Sequence, residues 1–229
     1  MTRRRLISRL RDESGAAMVE FSLVAVLFFL LFFSVLDFGR LLYTAVHVEK
    51  AAQIAARIAT TREMACLASG TQLPVNLRPG GATTPARAGT SCDTGADICS
   101  SVSYSCGGID RTGQASFDGP TLTHSALDPA HPTVTEIWDA IAPLMPPGAD
   151  ASVLNFRYDY DPALGFLGGP YTPIVTVEFD LPDFEFVAPI GGLATAASGG
   201  GTGGTTGTIA YPTFSVSLPA EDLTTGPAS

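Results

Sequence analysis

The hydrophobic positions of this 229-residue chain fall into one long run and several short alternating segments. The long run covers residues 16–36 and contains only three residues that are not apolar: Glu20, Ser22 and Ser34. As an α-helix these 21 residues measure roughly 31 Å, about the thickness of the hydrocarbon core of a bilayer. The pattern therefore predicts a membrane-spanning helix.

Helical spacing of apolar residues continues beyond this run. Between Leu41 and Ala65 there is neither Pro nor Gly, and alanines recur at helical intervals. One continuous helix is therefore predicted from about residue 17 to 65, with its membrane half at 16–36 and its extracytoplasmic half at 37–65. The Ala-rich outer half suits close packing against a small sheet.

Residues 66–229 are predicted to form an α+β domain. Three segments, 152–160, 173–181 and 211–218, alternate apolar and polar residues as half-buried strands do and predict an antiparallel meander. The expected inward positions are Leu154, Phe156, Tyr158, Tyr160, Val175, Val177, Phe179, Phe214, Val216 and Leu218. The expected solvent-facing positions of the first strand are Asn155, Arg157 and Asp159.

The other segments of this domain give weaker signals. Residues 70–97 have a loop composition, 98–106 could hold a short strand, and 191–208 are Gly-rich and predicted to be a mobile loop. Thr133 and Glu136 have the spacing of a capping box and predict a short helix over 133–144, packed through Trp138.

Charge is distributed unevenly along the chain. The net charge is -9, from 13 Lys and Arg against 22 Asp and Glu, which argues against nucleic acid as a partner. Five of the basic residues are arginines within the first 11 positions. An Arg cluster directly before a single span favours the cytoplasmic side, so the residues after the span are expected outside the cytoplasm.

The four cysteines all follow the span: Cys66, Cys92, Cys99 and Cys106. An even number of cysteines in an oxidising compartment predicts two disulfides, with three pairings open. Cys66 with Cys92 and Cys99 with Cys106 is slightly favoured. A zinc site is disfavoured because the cysteines are not closely paired and no His lies among them.

Several kinds of N-terminal segment share a basic head and an apolar run. A cleaved secretory signal or a twin-arginine signal would have a shorter run and a small-residue cleavage site, and Asp37-Phe38-Gly39-Arg40 supplies none. An uncleaved signal anchor remains as an alternative. Glu20 argues against it, because a carboxylate in a membrane helix is costly and usually has a partner.

The residues from Arg9 to Phe21, RLRDESGAAMVEF, followed by the apolar run and Leu36-Asp37-Phe38-Gly39-Arg40, resemble the N-terminus of TadE-like pseudopilins of tight-adherence (Flp-type) pilus systems. The resemblance is closest over residues 9–62. It implies a leader at 1–15, cleavage between Gly15 and Ala16 by a membrane-embedded prepilin peptidase, Glu20 as the fifth mature residue and Phe21 as the aromatic after it.

The resemblance also implies a fold and a setting. The fold is pilin-like, with the long helix packed on the sheet. The partners are the prepilin peptidase, other pilins or pseudopilins, the pilus assembly platform and, before assembly, the lipid membrane. The expected location is a bacterial inner membrane, with the N-terminus cytoplasmic, and after processing a pilus or cell surface used in adhesion.

A physical argument supports a role for Glu20. Cleavage after Gly15 creates an amine on Ala16, and four helical residues place Glu20 only about 6 Å further along the axis. The carboxylate of one subunit could pair with the amine of another, offsetting the burial of both charges and fixing the register of the subunits.

Catalytic and metal sites are not expected in the outer domain, so neither enzymatic activity nor a cofactor is predicted. His124, Asp128 and His131 could bind a metal, but their spacing fits no helical ligand pair, and surface positions are expected. Two sets of acidic residues are expected to lie on solvated faces and turns rather than form a carboxylate pair or a calcium site: Asp159 with Asp161, and Asp180 with Asp183 and Glu185. Asp37-Phe38-Gly39 spells a kinase motif without its companion motifs.

The alternative function for the whole chain is an uncleaved, membrane-anchored binding protein.

Overall fold

A computed structural model describes residues 13–71, 75–79, 81–83, 85–95, 97–100, 102–109, 122–187 and 208–223. Within it the chain divides into two compact units. Of the described residues, one unit comprises 13–43, 183–187 and 208–210, and the other comprises those within 44–182 and 211–223. The predicted mobile loop at 191–208 lies outside the described residues, apart from Thr208.

Helix α1 runs from Glu13 to Ala59 without interruption. It ends six residues before the predicted position because Thr60 and Thr61 follow. Their hydroxyls donate to the carbonyls of Arg57 and Ile58, and so take the place of the amides that would continue the helix.

The second unit is built on a five-stranded sheet. Its strands are β1 (Tyr104–Cys106), β2 (Thr123–Ser125), β3 (Leu154–Asp159), β4 (Ile174–Phe179) and β7 (Phe214–Pro219), in the order β2-β1-β3-β4-β7. Strands β5 (Phe184–Glu185) and β6 (Thr208–Ile209) form a separate two-stranded sheet in the first unit. All neighbours are antiparallel except β1 and β2, which are parallel. The three predicted strands are confirmed as β3, β4 and β7, and they form the predicted meander, with Phe179 opposite Phe214.

The core lies between the sheet and the outer part of α1. Phe156, Tyr158, Val175 and Val177 are almost fully buried, as the alternation predicts. Facing them, α1 contributes small side chains at helical spacing, all of them buried: Val48, Ala51, Ala52, Ala55, Ala56 and Ala59. Alanines let the helix approach the sheet closely, and the apolar area removed from water stabilises the pair.

Ala55→Leu is expected to destabilise this unit by about 1–3 kcal/mol, because the extra carbons must displace packed neighbours at a fully buried site. Gln53→Leu introduces the same side chain at an exposed position of the same helix and is expected to change stability by no more than about 0.5 kcal/mol. Chemical denaturation of both variants measures the difference. Equal stabilities for the two would mean that α1 does not pack closely here.

The second face of β3 is not solvated as predicted. Asn155 and Asp159 are 3% and 1% exposed. Residues 107–109, which follow β1, cross this face, and the Ile109 amide donates to Asn155 Oδ1. Gly107 makes the crossing possible, because a Cβ there would lie 2.0 Å from Asn155 Oδ1 and its φ is +148°. The carboxylate of Asp159 is buried against the guanidinium of Arg157, 2.8 Å away.

The favoured disulfide pairing is wrong. Cys66 is bonded to Cys106 and Cys92 to Cys99. Cys66 follows the end of α1 by seven residues, and its Sγ lies 3.8 Å from the carbonyl oxygen of Phe156, the residue opposite Cys106 in the β1–β3 ladder. Residues 92–94 form a single 3-10 turn that returns Cys92 towards Cys99. Intervals in sequence could not reveal either approach.

Helix α2 (Pro132–Ile141) begins one residue before the predicted capping box, and its cap is His131. The Thr133 amide donates to His131 Nδ1 at 3.2 Å, while the Thr133 hydroxyl donates to the Glu63 carbonyl. Glu136 instead accepts two hydrogen bonds from the Arg62 guanidinium, at 2.8 and 2.9 Å, which ties α2 to the end of α1. Trp138 packs against the core, as predicted.

The stability of this unit is expected to fall at mildly acidic pH because of His131. Burial lowers the pKa of His131 below 6.5, although Glu63 and Asp128 act in the opposite direction. A lowered pKa means that the unfolded state binds the proton first, so stability is lost as the pH falls below 6.5. Protonation also removes the acceptor for the Thr133 amide.

His131→Asn keeps a capping oxygen and cannot titrate. We expect the melting temperature of this variant to fall less between pH 7 and pH 5 than that of the original chain, because residue 131 no longer titrates. This pH range is set around the ordinary pKa of histidine. Parallel stability curves for the two chains over that range would contradict the assignment.

Candidate assembly and processing site

The predicted cleavage bond lies inside a helix. Because α1 begins at Glu13, the Gly15–Ala16 peptide bond belongs to its first turn, and Gly15 does not interrupt the helix. Proteases bind their substrates in extended form, so a peptidase acting here has to unwind this first turn. Glycine lowers the cost of unwinding, because it is among the weakest helix formers.

Glu20 and Phe21 lie one helical turn beyond Ala16. The Glu20 side chain is exposed and, within the described residues, makes no ion pair. Phe21 is 73% exposed. Because positions four apart share one face of a helix, Ala16 and Glu20 lie on the same side of α1. The structure therefore places Glu20 on the same open face of the helix as Ala16.

Between Phe21 and Leu36 the helix is apolar and mostly exposed. Rows of aromatic rings stack along it, with Phe28 and Phe32 at 6.1 Å and Phe29 and Phe33 at 6.2 Å between ring centroids. By length and composition α1 is the one described helix able to cross a membrane, and only 6% of its most apolar window is buried. An uncovered apolar surface of this size requires lipid or other helices around it.

A polar and aromatic cluster follows the end of the apolar run. Asp37 is 2% exposed and lies 3.4 Å from the Arg40 guanidinium. The Arg40 guanidinium also lies over the ring of Phe184, 5.5 Å from its centroid, and Phe38 meets Phe186 edge to face at 5.8 Å. Sequence reasoning gave Asp37 and Arg40 no role, although a carboxylate and a guanidinium three residues apart were a signal for a pair.

The remaining candidate residues occupy structural positions. His124 Nδ1 lies 3.0 Å from Ser105 Oγ on the neighbouring strand, and His131 is a buried helix cap rather than the expected surface residue. Asp128 and Asp161 each accept an amide two residues on, and Asp180, Asp183 and Glu185 are exposed. Among the described residues, no three His, Cys, Asp or Glu side chains are grouped as metal ligands.

Comparison with known proteins connects the first part of α1 to a family. Residues 15–57 match the model of a family described as TadE-like protein. The match covers the predicted cleavage bond, Glu20, the apolar run and the Asp37–Arg40 pair, and it confirms the resemblance for this segment. No curated protein and no solved structure matches the chain.

Proposed function

We propose that this chain, which carries a TadE-like segment at residues 15–57, is a minor pilin or pseudopilin of a tight-adherence pilus system. In this proposal a prepilin peptidase removes residues 1–15, and the mature chain is assembled into the pilus or helps to initiate it. The protein is the substrate of an enzyme rather than an enzyme, and it needs no cofactor.

The observation that carries the proposal is the bare helix with an acidic residue near its start. A membrane anchor that serves only to hold a domain needs apolar residues, and Glu20 raises the cost of inserting it. This free-energy cost of insertion is explained if the same helix later packs against other helices, where the carboxylate gains a partner. The exposed phenylalanine rows offer the apolar part of that contact.

Processing changes the charge as well as the length of the chain. The leader carries five Arg against Asp12 and Glu13, a net of +3, so its removal takes the side-chain charge from -9 to -12. The basic residues orient the helix during insertion, with the N-terminus in the cytoplasm of a bacterial inner membrane. Once they are removed, the signal that favours retention of that end in the cytoplasm is lost, and the helix is free to leave with the pilus.

A second candidate is an uncleaved signal anchor that carries an extracytoplasmic binding domain. One feature favours it: α1 passes through Gly15 and Ala16 without a break, as an anchor helix does. The two candidates differ in whether the chain is cut.

N-terminal sequencing of the protein from its native host, with and without the prepilin peptidase, separates them. We expect a mature chain that begins at Ala16 when the peptidase is present and the full precursor when it is absent. A chain that keeps its leader in both hosts supports the anchor, and one that begins beyond Leu36 indicates an ordinary signal peptide.

A matched pair of variants tests the site of cutting. Gly15→Val places a branched side chain where the peptidase cleft has to close on the backbone, and is expected to leave the precursor uncut. Ser14→Ala, one residue earlier, is expected to be processed normally. Cutting of Gly15→Val at the original rate would argue against this bond.

A further inference from the structure

A short arm of the first unit lies against the outer end of the apolar helix. It comprises residues 183–187, which contain strand β5 (Phe184–Glu185), and residues 208–210, which contain strand β6 (Thr208–Ile209). The two strands are antiparallel, with Phe184 opposite Ile209. We call these residues the arm.

The arm is held at a defined height on α1. Phe186 packs on Phe38 and Phe184 packs under Arg40, and both phenylalanines of the arm are buried. Phe38 and Arg40 are two and four residues beyond the last residue of the apolar run, Leu36. At 1.5 Å per residue, the arm is attached roughly 3–6 Å beyond the end of that run along the helix axis.

This height coincides with the headgroup layer. A bilayer is about 40–45 Å thick in total and about 30 Å thick in its hydrocarbon core, which leaves roughly 5–8 Å for each polar layer. If residues 16–36 fill the hydrocarbon core, Phe38 and Arg40 lie within the extracytoplasmic headgroup layer. The arm that packs on them lies there too.

The exposed side chains of the arm suit a position in the headgroup layer. Val187 is 70% exposed and Ile209 45% exposed, so two branched apolar side chains point away from the helix contacts. Glu185 and Asp183 are exposed beside them, as is the side chain of Arg40 at 58%. Apolar side chains next to charged ones are typical of segments that rest at the boundary of headgroups and acyl chains.

We propose that the arm is a membrane-surface contact, whose occupant is the extracytoplasmic leaflet of the bilayer. Val187 and Ile209 enter the boundary between headgroups and acyl chains, while the Arg40 guanidinium faces lipid phosphate. The contact sets how deeply α1 sits before assembly, and it has to be released when the pilin is extracted. This proposal rests on the membrane placement of the proposed function.

A single spin label at Val187 tests the contact in the full-length chain. Both pairs of native cysteines are disulfide-bonded, so Val187→Cys provides one reactive thiol, at an exposed site where folding is not at risk. The protein is reconstituted in vesicles of phosphatidylethanolamine and phosphatidylglycerol. We expect the label to collide more often with oxygen, which concentrates in lipid, than with a water-soluble nickel chelate. Ile209→Cys is expected to behave in the same way.

Two control labels separate the possible failures. Val26→Cys lies in the apolar run and reports the span itself, and Leu164→Cys is an exposed apolar site on the second unit that is expected to report water. Val26 in lipid with Val187 in water would overturn the arm proposal and leave the pilin proposal standing. Val26 in water would overturn the membrane placement, and with it the proposed function.

A second copy of the chain is the other occupant that the experiment can reveal. Spin–spin broadening at Val187 that disappears on dilution with unlabelled protein, without preferential collision with oxygen, would show that another subunit covers the arm. That result would also overturn the assignment to lipid.

Discussion

Replacing both Cys66 and Cys106 with serine is expected to lower the free energy of unfolding of the sheet-containing unit by about 4 kcal/mol. The bond closes a segment with a sequence separation of 40, and the chain-entropy relation gives about 3.9 kcal/mol for a loop of that length. It also joins the segment that follows α1 to β1, so its loss removes the covalent link between that segment and the sheet.

The second disulfide provides the matched control. Cys92 and Cys99 are separated by only 7 residues, for which the same relation gives about 2.3 kcal/mol. Denaturant titrations of the two double-serine variants should therefore differ by roughly 1–2 kcal/mol, with the Cys66–Cys106 variant the less stable. The opposite order would mean that strain or residual structure, rather than loop length, decides the contribution of each bond.

Glu20→Gln is expected to reduce incorporation into pili by about tenfold or more while leaving membrane insertion and cleavage intact. In the proposed assembly the Glu20 carboxylate is one partner of a buried charge pair, and removing one partner of such a pair typically costs about 3–5 kcal/mol, because the other charge is left without compensation. Glutamine has the shape of glutamate, so packing of the helix is preserved and only the charge is lost. The readout is the ratio of pilus-associated to membrane-associated protein.

Two controls show whether the lost partner is the new amine. Glu49→Gln makes the same change at an exposed position of the same helix, beyond the apolar run, and is expected to assemble normally. In a host without the peptidase the Ala16 amine is never formed, so Glu20→Gln should then cause no further loss. Normal assembly of Glu20→Gln in the complete host would exclude the pairing.

The parts of the fold that depend on local pattern could be predicted from the sequence. The apolar run, the strands β3, β4 and β7 and the inward positions Val175 and Val177 all follow from periodicity. Each depends on which residues alternate or recur along one segment. The TadE-like segment was likewise recognisable from contiguous residues.

The parts that depend on approach between distant segments could not be predicted. Asn155 is buried because residues 107–109 cross its face of the sheet, and Cys66 meets Cys106 because β1 lies beside β3. His131 caps α2 with a ring nitrogen, whereas the standard capping residues led the prediction to Thr133. None of these contacts leaves a periodic trace in the sequence.

The pairing of β4 with β7 has a consequence for how such chains diverge. Phe179 and Phe214 are opposite each other, so the two ends of the 34-residue connection between them lie side by side. Doubling the length of a connection between two fixed strands costs only about 0.6 kcal/mol in closure entropy. Natural variation can therefore change the length of the connection between β4 and β7 with little effect on the stability of the sheet. Among relatives, this connection is where we expect insertions and deletions to accumulate.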